Sequence, residues 1–310
     1  MAFAFVFPGQ GSQSLKMMDG LLGCTIIQDI FAQAKEVLGV DFLSMLQEET
    51  PESINKTVNT QPLLLTAEFA TYQSWLSKGG MIPTVMAGHS LGEWSALVAS
   101  GVIDFKDALL LVKLRAQSMQ DSVAPGDGAM AAVLGLDDEK IIAICKQVEG
   151  DTKGVVAAVN FNSPGQVVIA GSKVSVEVAS EALKAHGAKK IMSLPVSVPS
   201  HCSLMLNASK KLANALNEVE FKTPKIKVIH NFNAESYVET DLIKQSLIKQ
   251  LYSPVLWTKT INNIVNMGIT QIVECGPGKV LSGLNKRINE NIVSYNLRTE
   301  EEFEQVKTAL

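Results

Sequence analysis

The chain has 310 residues, 46% of them hydrophobic and 19% charged, with a formal net charge of −4 and a mean hydropathy of +0.17. That is enough apolar material for a large buried core and for more than one domain, and an acidic balance without a basic tract excludes nucleic acid as the main partner. No run approaches the ~18 apolar residues of a membrane span, and the opening Met-Ala-Phe-Ala-Phe-Val-Phe has neither a basic leader nor a small-residue cleavage site, so no membrane is implied and a cytoplasmic location is expected.

Residues 3–7 are an unbroken apolar run, the pattern of a strand buried on both faces in a parallel sheet. It stops at Pro8, and Gly9-Gln10-Gly11-Ser12-Gln13 makes a polar turn at the strand's C-terminal end, where open α/β sheets place their ligands. Thr50 can cap a helix with Pro51 at its first position, and Thr60 precedes a second helix over 63–76 that closes at Gly79-Gly80.

Val85-Met86-Ala87 then reads as a strand leading into Gly88-His89-Ser90-Leu91-Gly92, with a helix over 93–99 behind it. Strand, Gly-x-Ser-x-Gly and helix in succession are the setting of a nucleophile elbow. The serine can rise from so tight a turn only if the residues two before and two after it lack a Cβ. Asp104 caps a long helix through Met119, with Asp107 at the reciprocal capping position. Arg115 lies on that helix among apolar faces, and a buried arginine calls for a carboxylate.

The stretch 126–196 has its own order: strand 129–134, helix 138–148, strand 155–159, strand 167–170, helix 174–186 and strand 189–194, with Asn162-Ser163-Pro164-Gly165 as the middle turn. β-α-β-β-α-β is the ferredoxin-like arrangement. Beyond it, Val198-Pro199-Ser200-His201-Cys202 leads to a helix, and strands and helices alternate again: 226–229, 241–251, 258–267, 272–274, 279–289 and 292–295. The fold expected is α/β, with a discontinuous catalytic core from 1–125 and 197–310 and an inserted ferredoxin-like subdomain over 126–196.

The four cysteines, Cys24, Cys145, Cys202 and Cys275, are scattered without a Cys-x-x-Cys pair, so free thiols and no metal are expected. Of four histidines, His89 adjoins the serine on a sharp turn and should point elsewhere, and His186 ends a subdomain helix. His201, on the loop re-entering the core, is the best base for Ser90.

Phe7-Pro8-Gly9-Gln10-Gly11-Ser12-Gln13, Gln61-Pro62, Ala87-Gly88-His89-Ser90-Leu91-Gly92-Glu93, Arg115 before Met119-Gln120, Asn160-Phe161-Asn162-Ser163-Pro164-Gly165-Gln166, Val196-Ser197-Val198-Pro199-Ser200-His201, Gln250-Leu251-Tyr252 and Gly276-Pro277-Gly278-Lys279 together, in this order, resemble the bacterial malonyl-CoA:acyl carrier protein transacylases. The chain departs from the usual pattern at Ala116, where glycine often follows the arginine, and at Trp94, where tyrosine is frequent.

The resemblance implies an α/β-hydrolase-like core and a ping-pong transfer of malonyl from malonyl-CoA, through malonyl-Ser90, to the phosphopantetheine thiol of acyl carrier protein, supplying fatty acid synthesis. His201 is then the acid–base, the backbone N–H groups of Gln10 and Leu91 the oxyanion donors, the carbonyl of Gln250 the orienter of His201, and Gln61 and Ser200 acyl-pocket residues. Arg115 matches the malonyl carboxylate bidentately. No cofactor is implied, and a monomer is expected. An acidic carrier needs a local positive surface, for which Lys189-Lys190 and Lys286-Arg287 are available. The rivals are an acyltransferase of polyketide or polyunsaturated lipid assembly and, with an apolar acyl pocket in place of a buried arginine, a serine hydrolase.

Overall fold

The computed structural model describes residues 2–48, 50–196 and 198–310. Ser197, which falls in the motif ending at His201 and opens the expected C-terminal part of the core, lies outside the described residues, as do Met1 and Glu49.

The first half comprises β1 (Ala4–Phe7), α1 (Thr25–Leu38), α2 (Phe42–Leu46), α3 (Glu52–Asn55), α4 (Thr57–Ser77), β2 (Val85–Gly88), α5 (Gly92–Ala99) and α6 (Phe105–Gln120). The middle comprises β3 (Gly128–Leu134), α7 (Asp138–Thr152), β4 (Val156–Ser163), β5 (Gln166–Ser172), α8 (Lys173–Ala185) and β6 (Lys190–Ser193). The last part comprises α9 (Leu206–Asn217), β7 (Lys227–Ile229), α10 (Thr240–Gln250), α11 (Trp257–Asn266), β8 (Gln271–Glu274), α12 (Val280–Ile288), β9 (Val293–Asn296) and α13 (Glu300–Ala309).

Five strands form one parallel sheet in the order β7-β2-β1-β8-β9. β1 is central and buried on both faces, as its composition requires. With the strand period of two, Phe3, Phe5 and Phe7 point into the larger core, where Phe5 meets Tyr72 and Trp75 of α4 at ring distances of 5.8 and 5.9 Å. Ala4 and Val6 point the other way, into a smaller core with Ile261 of α11 and Leu281 of α12. Phe7 pairs with Gly88, so the Gly9-Gln10 turn and the serine turn leave the sheet side by side.

The middle elements form a separate four-stranded sheet, β4-β5-β3-β6, antiparallel throughout, and so do not extend the large sheet. One face packs Val133 and Ile169 under α7 and α8, while the other places Met130, Val168 and Ala170 against Cys202, directly after His201. A backbone bridge joins the sheets' surroundings: Val255 N donates to Val159 O at 2.8 Å and Phe161 N to Val255 O at 3.0 Å.

Several expectations shift. The helix at Thr50 is a single turn with Pro51 as its cap. The next helix begins at Thr57, so Pro62 lies inside it and the Thr60 hydroxyl donates to Ile54 O. Its end is as expected, with Gly79 N on Leu76 O and Gly80 N on Trp75 O. β4 continues through Asn162 and Ser163 by way of two register shifts, leaving Pro164-Gly165 as the turn, with Gly165 at φ +69°. Helices α1, α2 and α13 have no counterpart among the elements expected from sequence.

Candidate active site

The serine turn is held open by missing atoms. A Cβ on Gly88 would lie 1.9 Å from the carbonyl of Gly92, and one on Gly92 would lie 2.1 Å from Phe7 O. With both absent, Ser90 sits at the tip with φ +52°, a left-handed conformation that costs a serine about 1–2 kcal/mol. Asn231, just past β7, offsets this strain: its Oδ1 accepts from Ser90 N at 2.7 Å and its Nδ2 donates to Gly88 O at 2.6 Å.

His201 is buried and also left-handed, at φ +66°. Its Nδ1–H donates to Gln250 O at 2.7 Å, which leaves Nε2 as the acceptor for the Ser90 hydroxyl at 2.8 Å. Burial, and then the Arg115 charge, push the His201 pKa down to about 3. At neutral pH the imidazole is therefore an unprotonated base. His89 points away, its Nε2 2.8 Å from Asn162 Oδ1 of the subdomain.

Arg115 is 1% exposed, and its hydrogen-bond partners among the described residues are two amides and the serine hydroxyl. Nη1 donates to Gln61 Oε1 at 2.6 Å, and Nη2 to Gln250 Oε1 at 3.0 Å and Ser90 Oγ at 3.3 Å. Its Nε meets no acceptor among the described residues. Burial lowers its pKa to about 10, with Glu93 opposing, so it remains cationic. Gln61 is held at both ends, its Nε2 donating to Met119 Sδ at 3.7 Å.

Beneath the turn, the fully buried Glu93 accepts from His230 Nδ1 at 2.7 Å and from Asn231 N and Gln250 Nε2 at 2.9 Å each. Glu93 thus reaches Arg115 only through the Gln250 amide. Neither Gln10 N nor Leu91 N meets an acceptor among the described residues; Leu91 directly follows the serine and Gln10 lines the same cavity. Ser90, His201, Arg115, Gln61, Gln10, Leu91 and Ser200 line one cavity of about 200 Å³.

The lysines are elsewhere. Lys189 and Lys190 line a neighbouring depression that shares Met130, Leu194 and Val196 with the cavity. Lys286 and Arg287 occupy the last turn of α12, with Arg287 Nη1 on Gln166 Oε1 at 2.6 Å, whereas Val280, Leu281 and Leu284 of the same helix face the cavity. Asn231, His230 and the role of Glu93 are not foreseen from sequence. The available signal is the position of His230-Asn231 at the C-terminal end of a parallel strand. No His, Cys, Asp or Glu cluster suited to a metal occurs among the described residues, and no helix among them is long and apolar enough to cross a membrane.

A family model described as acyl transferase domain matches residues 4–295. The chain is 50% identical over 297 residues to the malonyl CoA-acyl carrier protein transacylase of Escherichia coli (strain K12), with 95% of each chain covered. It is 47% identical to that of Haemophilus influenzae over 310 residues, with 99% of each covered. Among solved structures, the Coxiella burnetii transacylase superposes with a TM-score of 0.98 at 42% identity, covering 100% of this chain and 98% of that one. A malonyl-transacylase in complex with a type II PKS acyl-carrier protein matches with a TM-score of 0.98 at 46% identity, covering 100% of both chains.

Proposed function

Because the chain belongs to the acyl transferase domain family, we propose that it transfers malonyl from malonyl-CoA to the phosphopantetheine thiol of an acyl carrier protein. The observation that carries this reading is the buried guanidinium of Arg115, 3.3 Å from a serine oxygen that itself lies 2.8 Å from His201 Nε2. A nucleophile and base suit any acyl transfer. A desolvated guanidinium beside them suits an acyl group ending in a carboxylate.

In the first half-reaction Ser90 Oγ attacks the thioester carbonyl as its proton passes to His201 Nε2. The oxyanion takes the N–H groups of Gln10 and Leu91, the C–S bond breaks, and His201 returns the proton to the coenzyme A sulfur. In the second, the carrier thiol gives its proton to His201 Nε2 as its sulfur attacks the malonyl-Ser90 carbonyl; the C–Oγ bond then breaks, His201 returns the proton to Ser90 Oγ, and the carrier leaves with the malonyl group. Gln250 O keeps the His201 tautomer fixed throughout. Gln61 and Ser200 wall the acyl group, and an acetyl donor leaves the buried Arg115 charge without a carboxylate against it, a penalty able to support discrimination of ~10⁴.

Nucleophile, base, donors and guanidinium all come from one chain, so a monomer without cofactor suffices, and the four free thiols suit a cytoplasmic setting. The carrier docks across Lys189, Lys190, Lys286 and Arg287. Fatty acid elongation is the use inferred, and the match to a transacylase seated on a polyketide carrier makes polyketide assembly the second reading. The test is intact mass after incubation with malonyl-CoA: one malonyl group on Ser90, and none on Ser90→Ala. Labelling that persists in the variant, or equal labelling by acetyl-CoA, would sink the assignment.

A further inference from the structure

Malonyl selectivity ordinarily invites a binding argument, in which Arg115 holds the carboxylate and nothing else changes. The contacts of Arg115 say more. Its Nη2 donates to the nucleophile itself, Ser90 Oγ, at 3.3 Å, so a lone pair of the attacking atom is engaged by the guanidinium. The same oxygen bonds His201 Nε2 at 2.8 Å, which puts the Arg115 charge two hydrogen bonds from the general base.

That charge is the one fixed charge facing His201 among the described residues. From α6 comes Arg115, from the serine turn His89, whose pKa burial lowers, from α10 the neutral carbonyl of Gln250, and next in the chain Cys202, whose thiol burial raises to about 11. Glu93 of α5 is separated from Arg115 by the Gln250 amide and does not touch His201. Arg115 thus both occupies the nucleophile and opposes protonation of the base.

We propose that the malonyl carboxylate is itself the switch for this pair: it draws the Arg115 guanidinium from Ser90 Oγ and neutralises its charge, so that selectivity is expressed in the rate of acylation as well as in binding. The inference rests on the malonyl-transfer reading. As the Oγ–C bond forms, the hydroxyl proton passes to His201 Nε2, creating an imidazolium beside Arg115; when the C–S bond breaks, that proton goes to sulfur and the imidazole is neutral again. With acetyl, the transient imidazolium stands next to a cation opposed only by Glu93, on the far side of the Gln250 amide. With malonyl, the carboxylate cancels that cation while the imidazolium exists, which is stabilisation specific to the transition state.

The test is single-turnover acylation of Ser90, read by intact mass, with saturating malonyl-CoA and with saturating acetyl-CoA across pH. In the malonyl complex His201 holds its proton at higher pH, so the acid limb of the malonyl rate lies above that of the acetyl rate, by about one pH unit or more. Arg115→Gln moves the acetyl limb up by the same amount, whereas Arg115→Lys, which keeps the charge, leaves it low. Coincident limbs for the two donors in the unaltered enzyme overturn the inference, whatever the variants do. Failure of malonyl transfer itself would show differently, as absent labelling at every pH.

Discussion

Glu93 and Gln250 meet beneath the serine turn, where the buried carboxylate accepts from the side-chain amide at 2.9 Å. The contact decides which end of that amide faces Arg115. Gln250 Nε2 is committed to Glu93 and, at 2.9 Å, to Ser90 O, so Oε1 is left to accept from Arg115. Since the Gln250 backbone carbonyl also holds His201, one residue aligns base, nucleophile and guanidinium together.

Glu93→Gln should therefore act beyond its own site. With its NH₂ group toward Asn231 N–H and Gln250 Nε2–H it would face two donors, and with the NH₂ toward His230 it would require that imidazole to move its proton from Nδ1 to Nε2. A loss of about 1–3 kcal/mol in stability is expected as the charge-assisted hydrogen bonds to the carboxylate become neutral ones, along with a fall in kcat larger than any change in KM. Urea denaturation and steady-state kinetics measure both. A variant with the original midpoint and turnover would remove Glu93 from any positioning role.

The glycines give a contrast within one chain. Gly88→Ala and Gly92→Ala place a methyl group 1.9 and 2.1 Å from backbone atoms, and soluble, folded protein is not expected from either. Gly150, in α7, has nothing within 4 Å of its would-be Cβ and no left-handed φ. Gly150→Ala should stabilise by about 0.5–1 kcal/mol, seen as a higher melting temperature.

The depressed His201 pKa carries a stability signature. Between about 3 and the unperturbed 6.5 the unfolded chain binds a proton that the folded chain refuses, so stability rises with pH in that window and falls on acidification through it. For His201 the loss between pH 7 and pH 5 amounts to about 2 kcal/mol, and His89 acts in the same direction. His201→Asn should lose about that much less over the same interval in denaturant titrations. Equal losses would mean that His201 protonates normally in the folded enzyme.

Carrier docking is tested by charge. Lys190→Glu combined with Arg287→Glu should raise KM for the carrier several-fold at low ionic strength while leaving acylation by malonyl-CoA near normal, because neither side chain lines the acyl cavity. The effect should fade as salt screens the encounter. Carrier kinetics insensitive to both reversals would place docking on another face.

What the sequence discloses here are features with local causes. The apolar run of β1, the glycine pair around Ser90 and the order of elements in the inserted sheet each follow from residues a few positions apart, and each is found in the structure. The partners of Arg115 are not of this kind. Gln61 and Gln250 lie 54 and 135 positions away, and the need of a buried arginine for a carboxylate says nothing of the two amides that orient it. Asn231 is 141 positions from the serine it braces. Helix α1 is a different case, since Ile27, Ile30, Phe31, Ala34 and Leu38 repeat at helical spacing before Gly39 in the left-handed region, a pattern legible in itself.

The interleaving of the large sheet sets an order of assembly. The central strand pairs with β8, Ala4 against Ile272, so β1 waits for a strand synthesised far later, whereas the antiparallel sheet closes entirely within Gly128–Ser193. Sheets built from distant segments form slowly, because chain closure must precede their contacts. During synthesis the small sheet can be complete while Ser90 has neither His201 nor Asn231 beside it. The nascent chain thus carries its nucleophile without its base, and acyl-transfer competence arrives only when the C-terminal strands close the sheet around both.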